Sequence, residues 1–328
     1  MKLGYKAAAE QFGPRDLLAF AIEAEEAGFD SVFVSDHFHP FWHTGGHAPA
    51  APPWLGAATQ RTSRVVLGTS VVAPTFRQHP AGVAQAFATL ACLAPGRIAL
   101  GIGSGEPINE LPLGLEAWPA VSERFGRLRE ATDIIKALWD GGFADYNGSY
   151  FRLRGARLYD LPELPPALYI AASGEKVAAF AGRSVDGVLA TSARGAGFCQ
   201  DVIFNSAATA AAVAGRDPAS LERVVEVKVA YHPDPEKALS ETRTWSALDF
   251  LHEQTGDPRV LEALAAASSM PGAGRWLLAS DAEQHVEQLR PFVEAATHLV
   301  LHSPADDQIA FIRRYGREIL PRLRRLTG

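Results

Sequence analysis

The chain has 328 residues, 47% of them hydrophobic and 21% charged, and a formal net charge of −6. This is an ordinary soluble globular composition with enough apolar side chain for a sizeable core. The acidic balance argues against a broad nucleic-acid or membrane-binding surface.

Strand and helix patterns alternate along the chain. KLGYKA (2–7) reads as a strand, and Pro14 to Gly28 as an amphipathic helix with Pro at its start and Gly just past its end. The start MKLGYKAAAEQFGPRDLL holds Lys2, Lys6, Glu10, Arg15 and Asp16 and no apolar leader core, and no run reaches membrane-spanning length. A cytoplasmic protein is expected. SVFVSD (31–36) is the second strand. It exits into VSDHFHP, which sets an acid and two imidazoles where a buried strand leaves its sheet. Helical APPWLGAATQRT (51–62) leads into the Val-rich strand RVVLGTSVVAP (64–74). A helix over Pro80–Leu93 precedes the strand RIALGIGSG (97–105), and Ser122–Trp139 has helical periodicity.

At 145–159, DYNGSYFRLRGARLY interrupts the alternation, and Asn147-Gly148 is a hairpin signal. ALYIAAS (167–173), a helix over Glu175–Gly182 and GVLATS (187–192) resume it. A further helix precedes VVEVKVAY (224–231). The last strand is HLVLHS (298–303), with a closing helix from about Asp306 to Leu323. Eight strands, each followed by helix, in a chain without a flexible linker predict a closed (β/α)8 TIM barrel, with a doubly wound open sheet as the alternative. The whole chain, 1–328, is read as one domain. Insertions fall at about 37–55, 145–160 and 246–275, the last being extra helical material over the barrel mouth. Cys92 and Cys199 are the only cysteines. Both sit among apolar neighbours in sequence, which implies no disulfide framework and a reducing compartment.

Active sites of such barrels lie at the C-terminal strand ends, and the polar residues of this chain gather there. They are Glu10 after strand one, Asp36-His37 after two, Ser70 and Thr75 after three, Ser104, Gly105, Glu106 and Asn109 after four, Ser173-Gly174 after five, and Thr191 and Arg194 after six. The small residues of GIGSGE suit either the close approach of a flat ring or a turn with positive φ. Gly174 and Lys176 open a helix, an arrangement for a phosphate or simply a helix start. Neither a Walker loop nor GxGxxG is present. His37 beside a carboxylate suits acid/base work or hydrogen-bond donation. His39, His43 and His47 follow it, but Pro40 and Gly45-Gly46 break regular ligand spacing, which argues against zinc. Glu106 has no local cation and is the carboxylate placed to exchange protons. Arg194 and Arg275 read either as a pocket for an anion or as surface ion pairs. His298 and His302 read as packed or capping residues.

KLGYKAAAEQF, VSDHFHP with GGHAP, LGTSV, QAFATLACL, GIGSGEPINE, YIAASG and RWLLASD together resemble the coenzyme F420-dependent glucose-6-phosphate dehydrogenase family, of the bacterial-luciferase-like superfamily. The resemblance runs through essentially the whole chain. It implies a luciferase-like barrel, a homodimer, and a bound 8-hydroxy-5-deazaflavin that moves hydride at ring carbon C5. The reaction implied is oxidation of a hexose 6-phosphate at its anomeric carbon to the lactone. His37 and Glu106 match the family's two catalytic positions, with the division of roles open. Asp36, Ser70, Val71, Ala73, Ser104, Gly105 and Asn109 would meet the ring or tail. Ser173, Gly174, Lys176 and Val177 would hold the ribityl-phosphate arm. Ser70-Val71 falls where the superfamily has a cis peptide behind the ring. Glu10, Phe41, Thr191, Arg194 and Arg275 would face the substrate.

Three departures bear on that substrate. Arg194 stands for a Lys, Phe41 for a Trp, and the shortened DFLHEQTGDPR (249–259) lacks a second Lys. Alternatives are the same cofactor acting on a non-phosphorylated alcohol or ketone, an FMN-dependent monooxygenase, and a barrel that binds deazaflavin without turnover. No metal, nucleic-acid or membrane partner is implied.

Overall fold

Eleven strands form within the computed structural model, which describes residues 1–268 and 272–326. They are β1 (Lys2–Ala7), β2 (Ser31–Val34), β3 (Val66–Thr69), β4 (Ile98–Ile102), β5 (Ala144–Asn147), β6 (Arg152–Ala156), β7 (Ala167–Ala171), β8 (Gly187–Thr191), β9 (Glu222–Tyr231), β10 (Leu277–Ala279) and β11 (His298–His302). The order β1-β2-β3-β4-β7-β8-β9-β11 is parallel throughout and closes where β11 pairs with β1. These eight make the barrel, with helices between them; β10 joins the edge of β9, and β5–β6 is a separate antiparallel hairpin.

The strands are short apolar runs because both faces are covered. Outward residues such as Leu3, Val32, Leu67, Leu100 and Val227 pack under the helices. Inward Phe33, Ala99, Tyr169, Leu189, Val224 and Val300 fill the barrel as an apolar layer. The first helix, Pro14–Glu26, begins on Pro14 and is followed by Gly28 at φ 93°. That left-handed conformation favours glycine and turns the chain into β2. Among the described residues no helix is long and apolar enough to cross a membrane.

Several expectations change in detail. The strand expected over 64–74 pairs regularly only from Val66 to Thr69, because the Ser70–Val71 peptide is cis, as the resemblance implied; Val72 then forms an isolated bridge to Ile102. The hairpin forms, with Asn147 paired to Arg152 across a four-residue connection instead of a two-residue turn. Glu130 decides this, accepting the N–H groups of Ser149, Tyr150 and Phe151. RWLLASD contributes β10, a strand the alternation did not show. The closing helix divides into Gln308–Glu318 and Leu320–Arg325, since Pro321 has no N–H to continue the ladder. Cys199 is buried, whereas Cys92 is exposed despite its apolar neighbours in sequence.

The material between β9 and β10 comprises 3-10 turns over Arg243–Glu253, a helix Pro258–Ala267 and a 3-10 turn Gly272–Arg275. An apolar cluster of Phe41, Ile108, Trp245, Leu248, Leu261 and Trp276 ties it to the loops after β2 and β4. That cluster fixes the roof of the barrel mouth.

Candidate active site

The strand ends surround a cavity of about 500 Å³, within the usual range for small-molecule sites. One wall consists of small residues: Ser70, Val71, Ala73, Gly103, Ala171, Ala172 and Ala190. A Cβ at Gly103 would stand 2.7 Å from Val71 Cγ2, so this wall is held to backbone thickness. Ser104, Gly105 (φ 87°), Asn109 and Ser173 continue the lining and add hydroxyl, amide and backbone groups. A thin wall beside a few polar groups fits a flat heterocycle.

The same cavity holds a cluster of ionisable side chains. His37 Nε2 meets Glu10 Oε1 at 3.1 Å, and Glu10 Oε2 accepts Ser35 Oγ at 2.6 Å. On the other edge of the imidazole, Nδ1 is 3.1 Å from Asn109 Nδ2 and 4.0 Å from Glu106 Oε2. Asn109 Oδ1 accepts the Phe38 N–H at 2.8 Å, which turns its amide N–H toward Nδ1. Thus Nε2–H donates to Glu10, and the Nδ1 lone pair accepts from Asn109. Burial of His37 disfavours its charge, but Glu10, with help from Glu106, outweighs this and raises the imidazole above its ordinary 6.5. Burial likewise opposes charge on Glu10, and His37, Lys6 and Ser35 hold that carboxyl well below its usual range. Phe41 packs edge-on against His37, 4.8 Å between centroids. His37 and Glu106 therefore open onto one cavity.

The floor is charged. Glu226 Oε2 accepts Lys6 Nζ at 3.0 Å and Ser70 Oγ at 3.1 Å, while Oε1 lies 3.6 Å from Lys228 Nζ and 3.4 Å from His302 Nδ1. Parallel register creates this group by setting Lys228 beside His302 and Glu226 beside Thr191. Burial opposes charge on Glu226, but Lys6, His302 and Lys228 keep it well below the carboxylate range. Burial lowers Lys228. Burial and Lys228 together bring His302 down to about 4, so its ring is neutral near pH 7. None of Lys6, Glu226, Lys228 and His302 was singled out for the site from sequence. The available signal was charge inside VVEVKVAY: Glu226 and Lys228 are two apart and share a face of a strand whose residues 224, 225, 227 and 229 are valines.

Thr191, Arg194 and Arg275 also line the cavity. Arg194 stacks 3.5 Å from the Phe198 centroid. Arg275 is engaged on one edge, with Nε 2.5 Å from Asp249 Oδ1 and Nη2 donating to Leu248 O at 3.1 Å. Asp36 borders the cavity, but its carboxylate is already bonded to Arg77 Nη2, Gln78 Nε2 and the Ala51 N–H. That use makes it an anchor for the loop after β2. Gly174, Lys176 and Val177 stand outside the cavity lining, on the helix start that follows Ser173. The other histidines of the loop diverge: His39 Nδ1 bonds Gly256 O at 2.9 Å, and His43 lines a separate surface groove. Among the described residues no group of three His, Cys, Asp or Glu side chains is placed to hold a metal ion.

A parallel eight-stranded barrel with a cis peptide in a thin cavity wall and an imidazole paired to a carboxylate at its mouth defines a luciferase-like barrel protein. The family model described as luciferase-like monooxygenase matches residues 1–299. The F420-dependent glucose-6-phosphate dehydrogenase of Beutenbergia cavernae is 52% identical over 99% of this chain and 98% of its own. That of Nocardia farcinica is 48% identical over 100% and 99%. Among solved structures, an F420-dependent secondary alcohol dehydrogenase in complex with an F420-acetone adduct superposes with a TM-score of 0.90 at 33% identity, covering 97% and 98% of the two chains. The chain belongs to the F420-dependent glucose-6-phosphate dehydrogenase family within the luciferase-like group.

Proposed function

We infer that the chain is an F420-dependent oxidoreductase acting on a CH–OH group, and that its substrate is a hexose 6-phosphate oxidised at the anomeric carbon to the 6-phospholactone. The observation that carries this reading is the pairing of His37 with Glu10 and Glu106 beside the thin wall, in a chain 52% identical to a glucose-6-phosphate dehydrogenase. When bound, the deazaflavin supplies a hydride acceptor at its ring carbon C5. Ser70, Val71, Ala73, Ser104, Gly105 and Asn109 would border the ring, and Ser173, Gly174, Lys176 and Val177 its phosphate-bearing arm. Asp36 would support that side from behind.

The substrate hydroxyl replaces the Asn109 amide at His37 Nδ1 and gives its proton to that nitrogen, while Glu10 holds Nε2–H and so selects the tautomer. Glu106, whose side chain is 46% exposed, carries the proton from the buried imidazole toward solvent. Phe41 limits the space at the imidazole. Thr191, Arg194 and Arg275 receive the phosphate. The test is loss of deazaflavin absorbance on mixing with a panel of hexose 6-phosphates; no loss with any of them discards the substrate.

Arg194→Ala and Arg275→Ala are each expected to raise KM for the phosphorylated sugar about 10- to 100-fold with kcat little changed. That is the size of a lost charged hydrogen bond. An unchanged KM means the phosphate lies elsewhere. One observation favours a second reading, a plain alcohol or ketone: Asp249 already occupies an edge of Arg275. On that reading unphosphorylated substrates match or exceed their 6-phosphates in kcat/KM. We propose further that the whole chain is one barrel domain that works as a homodimer in the cytoplasm, as the resemblance implies; the solution mass tests the dimer.

A further inference from the structure

One polar group of the cavity has no role in this mechanism. His302, at the end of β11, is 1% exposed and borders the cavity, yet among the described residues its Nε2 has no hydrogen-bond partner. A buried nitrogen of this kind lowers stability unless something pairs with it. The ring cannot swing away, because Trp245 and Trp276 meet it edge-on at centroid distances of 4.4 Å and 5.1 Å. The same two indoles flank the Lys228 ammonium, at 5.5 Å and 5.4 Å. Lys228 lies within electrostatic reach of both Glu10 and Arg275.

The chemistry of the missing partner follows from His302 Nδ1. It lies 3.3 Å from Lys228 Nζ, which only donates, and 3.4 Å from Glu226 Oε1, which only accepts. If Nδ1 accepts from Lys228, the neutral ring carries its hydrogen on Nε2 and must donate; if Nδ1 donates to Glu226, Nε2 must accept. A hydroxyl satisfies both tautomers, because it gives and takes. A phosphate oxygen or an ammonium satisfies only one, and an apolar carbon neither. The Lys228 ammonium is a further donor for the same or a neighbouring hydroxyl, and the indoles offer apolar surface to ring C–H groups.

We propose that His302 Nε2 and Lys228 Nζ form a hydroxyl-binding subsite in the cavity floor. It selects a polyhydroxylated ring spanning the distance from the His37 proton centre to the arginines. This rests on the hexose reading above and adds to it the requirement for ring hydroxyls at a place no phosphate contact reaches.

The experiment compares glucose 6-phosphate with its 2-, 3- and 4-deoxy analogues on the wild type, Lys228→Met and His302→Phe, with urea midpoints to establish folding. The wild type should lose about 10- to 100-fold in kcat/KM on at least one analogue. Each folded variant should lose as much on the parent sugar and nothing further on that analogue. Wild-type indifference to every deoxy analogue overturns the subsite, as does a folded Lys228→Met that treats parent and analogue as the wild type does.

If no hexose 6-phosphate is turned over at all, it is the reaction that was misread, and the subsite is tested by binding. Glucose should then change the tryptophan fluorescence of the wild type saturably and leave that of Lys228→Met unchanged. No saturable change in the wild type overturns the subsite.

Discussion

His37→Asn lowers the rate of the first turnover, followed as rapid loss of deazaflavin absorbance, by about 100- to 10,000-fold, the usual contribution of a positioned general base. Affinity for the cofactor stays close to that of the wild type, since the thin wall is untouched. The asparagine keeps a polar side chain near Glu10 but has no nitrogen lone pair to take a proton. The pH profile reports the same group. Its reactive form is the neutral imidazole, so activity falls as pH drops through the His37 pKa, which Glu10 and Glu106 raise above 6.5. Glu10→Gln removes the largest raising influence and leaves only Glu106 against burial and Lys6, both of which lower the pKa. The acid limb therefore moves to lower pH, while kcat falls because the amide no longer enforces Nε2–H. An unchanged first-turnover rate in His37→Asn, or an acid limb that stays put in Glu10→Gln, removes His37 from the reaction.

Glu226→Gln is expected to reduce unfolding free energy by about 3–5 kcal/mol, the range for breaking a buried ion pair from one side. The size follows from the floor's arithmetic: one carboxylate, 7% exposed, faces Lys6 and Lys228 together. Removing its charge leaves two buried ammoniums without the carboxylate that both of them meet directly. The urea midpoint measures this, and a midpoint equal to the wild type's refutes it.

The pH dependence has a definite sign. The folded pKa of Glu226 is depressed well below 4.5. Its stabilisation is therefore fully present above the ordinary carboxylate pKa and is lost as pH falls through the folded value. The Gln variant lacks that acid-side loss, so the stability gap between the two proteins narrows on acidification.

Barrel topology could be read from the chain because strand and helix periodicities are local. Runs such as SVFV and IALGI have to be covered on both faces, and Pro14 and Gly28 bracket a helix without reference to anything distant. Local, too, was the gathering of polar residues at strand ends, which put His37, Glu106, Ser104 and Arg194 on one rim. The hairpin turn was not local. Asn147-Gly148 signalled a hairpin, and Glu130, from the preceding helix, holds three N–H groups of its connection.

Contacts between rim residues were beyond one-dimensional reading. Glu10 looked like a substrate contact, and it is the strand-one residue that orients a strand-two imidazole. Lys176 and Val177, which the resemblance gives to a cofactor arm, stand beyond the cavity lining on the first turn of the helix that follows Ser173. Lys6, Glu226, Lys228 and His302 come from three strands up to 296 positions apart in a chain of 328 residues. Whether a charged residue in a buried strand faces the lumen or the helices depends on strand parity and register, and register is set only when β11 closes on β1. The sequence by itself thus determined which elements form and which end of each is polar. Closure alone decided which charges meet, because parallel pairing brings together residues that the chain keeps far apart.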